Sequence, residues 1–116
     1  IMKKFFVLYL APVSVIEEWM KKSPEERKTE EDKMKNEWDA WMKEHATSVK
    51  ETAGAGKTKR VTKEGVADTK NDIMLFSIVE AESPEAVATM FENHPHLGIP
   101  EASIEIMPVN YLPGME

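Results

Sequence analysis

After Lys3 and Lys4, the stretch Phe5 to Leu10 contains no polar face. Read as a strand over Lys3 to Leu10, it turns Phe5, Val7 and Tyr9 to one side and Phe6, Leu8 and Leu10 to the other, because side chains alternate across a strand. Asp72 to Ala81 repeats the pattern, with Ile73, Leu75 and Val79 set against Met74, Phe76 and Ile78. A strand that is apolar on both surfaces has to be covered on both. That requirement excludes a sheet with one freely wetted face. It turns the rest of the chain into a question of what lies on each side.

Helices supply one cover. Ser14 precedes an amphipathic run to Lys22 and has Glu17 three residues on, the spacing of a capping box. Val15, Ile16, Trp19 and Met20 then share a face. Ser23-Pro24-Glu25-Glu26 is a second start signal, with a cap, a proline in the first turn and acids behind it. It predicts a helix to about Ala46. Its charged beginning (Glu25 to Lys33) is a solvated face, and its second half carries Met34, Trp38, Trp41, Met42 and His45 as a stripe. Ser83-Pro84-Glu85 starts a third helix with Val87, Met90, Phe91 and His94 as its stripe, and Pro95 stops it. Short strands are expected at Ser48 to Thr52 and Thr58 to Thr62, joined as a hairpin through Gly54 and Gly56, with Lys63-Glu64-Gly65 as a further turn. The last strand is Ala102 to Val109, with Ile104 and Ile106 facing away from Ser103, Glu105 and Met107.

The order is β-α-β-β-α-β. This is an α+β fold of ferredoxin-like layout, an antiparallel sheet with its helices on one face. The whole chain, 1–116, reads as a single domain, and a chain of this length buries enough surface to need no staple. The second sheet face is still bare in this arrangement. A second copy, sheet against sheet, covers it most simply and gives a dimeric α+β barrel.

Charge and cysteine usage narrow the partners. With 15 basic and 21 acidic side chains the formal charge is -6, which argues against general nucleic-acid binding and against an anionic membrane surface. No stretch approaches a membrane span. The apolar run after Met2-Lys3-Lys4 lasts only six residues before Ala11-Pro12, short for a secretory leader. With no cysteine, disulfides, thiol catalysis and cysteine-held zinc are excluded, and a cytoplasmic location is expected.

Several constellations could carry chemistry. Gly54-Ala55-Gly56-Lys57-Thr58 has the look of a phosphate loop, but the place that should hold its first glycine is Glu51 and both flanks read as strand. His94-Pro95-His96 lies at a helix end beside a loop. Capping, acid–base work and metal ligation all stay open for it; a metal would need a further ligand, and none is assigned. Tyr9, Ser77 and Glu105 are polar positions in apolar strands. Glu105 is either wet near a sheet edge or, if enclosed, a base with a raised pKa. Asp68, Lys70 and Asp72 form a charged loop before the second strong strand, and Trp19, Trp38 and Trp41 follow helical spacing, as core residues do.

Gly65-Val66-Ala67-Asp68-Thr69-Lys70, leading into strand Ile73 to Glu80 and helix Ser83 to Asn93, resembles the Asp-Gly-Pro-Phe segment of the YCII-related (DGPF-domain) proteins. Phe91 to Pro95 and Ser103 to Pro108 are similar to that family's final helix and strand, so the likeness runs from the first strand to Val109. Glu64 stands where the family has Asp, and Val66 replaces its Pro-Phe pair with one residue fewer. The resemblance implies a dimeric barrel and a cleft between sheet and loops, with a histidine and an acid as the working pair. By position these are His94 with Asp68 or Asp72, and Glu105 is added from its place on the last strand. Tyr9, Trp19, Ser77 and His96 are the expected ligand contacts. The function implied is proton transfer on an organic acid or lactone, without cofactor, as in an isomerase or lyase. The alternative is a dimer that binds or senses a small ligand without turnover.

Overall fold

The structure, a computed structural model, describes residues 1–115. In chain order the elements are β1 (Lys3–Leu10), α1 (Val13–Met20), α2 (Pro24–Glu44), β2 (Val49–Gly54), β3 (Thr58–Thr62), β4 (Gly65–Thr69), β5 (Ile73–Ala81), α3 (Pro84–Phe91) and β6 (Ser103–Pro108). A 3-10 turn, Pro95–Gly98, lies between α3 and β6. The main sheet has the order β2-β5-β1-β6, and β1 runs antiparallel to both β5 and β6. This is the ferredoxin-like arrangement, with the two strongly apolar strands at its centre. Among the described residues no helix is long and apolar enough to cross a membrane.

The two faces of the sheet differ as the alternation requires. Phe5, Val7, Tyr9, Ser77 and Val79 are fully enclosed. They pack with Trp41, Val87 and Phe91 from the helices, and Trp38, Met42 and Met90 close the margins. Trp41 also ties α2 to α3, its indole N–H donating to the Met90 carbonyl at 3.3 Å. The opposite face carries Phe6, Leu8, Leu10, Phe76 and Ile78, all only half-buried. Phe6 and Phe76 touch across adjacent strands, ring centroids 5.8 Å apart, and among the described residues the helical core residues pack against the other face.

Two of the three capping expectations hold. Ser23 and Ser83 accept from the backbone N–H of Glu26 and Ala86, each at 3.1 Å. Ser14 does not cap: α1 begins at Val13, Pro12 holds the N-cap position and no side chain bonds to it. Proline's fixed backbone angle starts this helix two residues earlier than the serine cap indicates. Along α2, Lys28–Asp32 and Lys35–Asp39 pair at i,i+4 on the exposed side, consistent with a helix whose polar face is stabilised locally.

The expected hairpin through Gly54 and Gly56 is not formed. β2 pairs with β5 at the sheet edge, and the Ala55 N–H continues that pairing by donating to Met74. β3, at its expected place, pairs instead with β4, a segment expected to be loop, in a separate two-stranded arm. The turn is Lys63-Glu64, closed by Gly65 at φ +130°, a backbone angle that side-chain-bearing residues rarely adopt. The arm escapes a reading by hydrophobicity because it has no apolar face: only Thr58 and Thr69 at its root are partly covered.

One backbone position stands against its residue type. Ala102 N–H donates to the Ile99 carbonyl, with Pro100 and Glu101 between them, and Glu101 has φ +61°. That is a type II turn, whose third position favours glycine. Glu101→Gly is therefore expected to stabilise the fold by roughly 0.5–1 kcal/mol. Denaturant titration checks this; an unchanged or lower midpoint sinks the strain argument.

Candidate functional site

Pro95 cannot extend α3, so the chain turns into the 3-10 segment and His94 becomes its N-cap. The His94 ring does the capping. Its Nδ1 accepts from the His96 backbone N–H at 3.0 Å, which places the ring proton on Nε2. His96 Nε2 lies 2.9 Å from the Leu10 carbonyl and is therefore the protonated nitrogen of that ring. His94 Nε2 and His96 Nδ1 are buried and have no hydrogen-bond partner.

Both imidazoles lie in an aromatic enclosure on the helix side of the sheet. His94 is 2% exposed. Trp38 and Trp41 meet it edge-on at 4.4 and 4.5 Å, Phe91 stacks at 5.5 Å, and Tyr9 lies at 5.3 Å. Loss of water pushes the His94 pKa down to about 3, helped by its histidine neighbours His96 and His45. Burial lowers His96 as well, opposed by the carbonyls of Leu10 and Ser103. Both rings are neutral at neutral pH.

Beside them runs a short polar chain. Tyr9 Oη and Ser77 Oγ are 2.7 Å apart, and Ser77 Oγ and Thr52 Oγ1 are 2.6 Å apart. Burial raises the Tyr9 pKa, opposed by these hydrogen bonds. The phenol stays protonated and bonded, which is how a buried hydroxyl avoids the cost of desolvation.

The structure thus brings His94, His96, Tyr9 and Ser77 together in the core. The remaining sequence candidates stand elsewhere. Asp68 is on the arm, exposed and paired with Lys59. Asp72 is exposed just before β5, where its backbone carbonyl accepts from Ala11. Glu105 lies on the edge strand β6 opposite Leu8, on the bare sheet face, and is exposed. Trp19 is half-buried on α1, with its indole N–H donating to Glu30 and Arg27 over its ring. Among the described residues no acid accompanies His94; the neighbours that lower its pKa, after burial itself, are His96 and His45. Among the described residues no three His, Asp or Glu side chains come together in a metal-binding arrangement.

An opening of about 970 Å³ lies at the end of the sheet, between α1 and the root of the β3–β4 arm. Its floor is apolar: Val13, Ile16 and Met20 of α1 face Ile73 and Met74 of β5. Lys21, Lys57, Lys59 and Lys70 stand around it with Glu17 and Asp68. Asn71 braces the root, its amide donating to Thr58 and its carbonyl oxygen accepting from the Ile73 N–H. Of the expected site residues only Asp68 lines this cleft. The lysines were legible only as charge: residues 57–70 hold five basic and two acidic side chains in a chain of net charge -6.

No family model matches the chain, and no curated protein matches it. Among solved structures it is similar to 5-chloro-2-hydroxyhydroquinone dehydrochlorinase from Burkholderia phenoliruptrix, determined in complex with 2,5-dihydroxybenzoquinone. The two superpose at a TM-score of 0.55 over 100% of each chain, with 13% sequence identity. At that identity the likeness establishes a shared α+β fold.

Proposed function

We propose that this chain is one half of a homodimer that binds a small organic acid or lactone, and that it is a distant relative of the YCII-related proteins. The observation that carries the reading is the row Phe6, Leu8, Leu10, Phe76 and Ile78, which stays only half-buried among the described residues. Apolar area of this extent is stabilised by leaving water, and an identical row is self-complementary about a two-fold axis. The dimensions agree. The radius of gyration is 16.3 Å, against about 13 Å for a compact domain of this length. The excess comes from a body only 19 Å thick in its short direction with an arm standing off it. An isolated two-stranded arm is marginal by itself, so a partner that covers the sheet and flanks the arm accounts for both features.

Binding is favoured over turnover because the expected histidine–acid pair does not form. A second reading, cofactor-free proton transfer, is supported by the neutral His94 and His96 rings with their unpartnered nitrogens. It is also supported by the fold shared with a dehydrochlorinase. In that reading the cage of Trp38 and Trp41 opens to admit substrate to His94, a gating step of the kind that limits many small enzymes.

Light scattering on the purified chain is expected to give about twice 13.2 kDa. Leu8→Lys, which places a charge in the row, is expected to give a monomer that remains folded. A wild-type monomer at micromolar concentration overturns the dimer. The histidines set a pH dependence whose sign follows from their lowered pKa. The unfolded chain takes up a proton near pH 6.5 that the folded His94 refuses until about pH 3. Stability is therefore intact above about 6.5 and falls by about 1.4 kcal/mol per pH unit below it, for this ring alone. His94→Asn keeps a capping acceptor and removes the titration. It is expected to cost about 2–3 kcal/mol at pH 7 from lost packing, with the gap to wild type narrowing by about 2 kcal/mol at pH 5. Parallel stability curves for the two proteins would falsify the assignment.

A further inference from the structure

We propose that the cleft between α1 and the arm root takes a small organic anion, held by Lys57 at its charged end and by Ile16, Met20, Ile73 and Met74 along its apolar body. This inference rests on the reading of the dimer as a small-molecule protein, and it names the ligand class and the place.

The argument starts from charge balance. Outside residues 57–70 the chain has ten basic and nineteen acidic side chains, so the positive segment is an exception within an acidic protein. Most lysines around the cleft are already paired: Lys59 with Asp68, Lys21 with Glu18, and Lys70 with Glu17 at 4.0 Å. Lys57 has no carboxylate partner among the described residues. It is a surplus cation at the wall of an apolar-floored cleft, a setting in which an anion with a hydrophobic body gains from both surfaces at once. Asn71 joins the arm root to the start of β5 through both ends of its amide, and a site formed in advance loses less to ordering.

The same features exclude other anions. A phosphate cradle uses free backbone N–H groups in a glycine loop. Here the Ala55 N–H is spent on Met74. Gly54 and Gly56 are not among the positive-φ residues, and a side chain added at either would meet nothing within 4 Å. Neither glycine is required there by backbone conformation or by a close contact within the chain. A nucleic acid would find the rest of the surface repulsive. What remains is a compact carboxylate or phenolate with an apolar ring or chain. A cleft of about 970 Å³ has room for a drug-sized molecule.

Chemical-shift mapping of the full chain tests this with benzoate, its neutral isostere benzamide, and inorganic phosphate. Benzoate is expected to shift the amides of residues 57–71 and the methyls of Ile16, Ile73 and Met74. Benzamide is expected to bind roughly ten-fold more weakly. Lys57→Ala is expected to weaken benzoate about 5–10-fold, with Lys57→Arg restoring most of it and neither changing the melting temperature. Equal binding of benzoate and benzamide overturns the inference, and so does phosphate acting as strongly as benzoate. Shifts at Leu8 and Phe76 instead would put the ligand between the two sheets, overturning the cleft while leaving the small-molecule dimer standing. Binding at the cleft by the monomeric Leu8→Lys protein would support the site and count against the dimer as its requirement.

Discussion

The fold is organised around Tyr9. Its ring is the point on which α2, α3 and the histidine turn converge, with Trp38 at 5.2 Å, Phe91 at 6.0 Å, and His94 and His96 at 5.3 and 5.5 Å. Its hydroxyl lies on the sheet side and is bonded through Ser77 to Thr52. One residue therefore joins the central strand to both helices by packing and to the sheet edge by hydrogen bonding. A phenylalanine would keep the packing but leave Ser77 with one partner fewer, and a buried hydroxyl short of partners is costly.

The histidines belong to the same core. Residues 94 to 96 carry groups that ordinarily titrate near neutrality, yet aromatic rings and helix backbone exclude water from them. Their chemistry is converted into shape: one ring caps the 3-10 turn and the other holds the end of β1. The charged chemistry lies about the arm and α1 instead, where lysines and acids remain wet. Core and surface thus divide the polar residues into those enclosed by packing and those left in water.

Several elements were legible locally. Ser23-Pro24 and Ser83-Pro84 start helices because the cap and the proline act within one turn, with no help from tertiary contacts. The assignment of Phe5, Val7 and Tyr9 to one face and Phe6, Leu8 and Leu10 to the other follows from strand geometry alone. The arm was legible only in part: strand Thr58–Thr62 and the turn Lys63-Glu64-Gly65 follow from the sequence, but Gly65–Thr69 has no apolar alternation, and the glycines at 54 and 56 pointed to a nearer hairpin. The cleft was hidden for a related reason, because Ile16 and Met74 meet only when α1 folds back past the end of β5.

Alternation, caps and breakers in the chain by themselves determined two central strands, three helices and a sheet with helices on one side, since each signal acts over a few bonds. Tertiary structure alone decided which strands pair, that His94 lies in a dry aromatic cage, and that Lys57, beside an apolar floor, has no counter-charge among the described residues. These are meetings between residues far apart in sequence. Their energies depend on distance and on exclusion of water, neither of which is written in the order of residues.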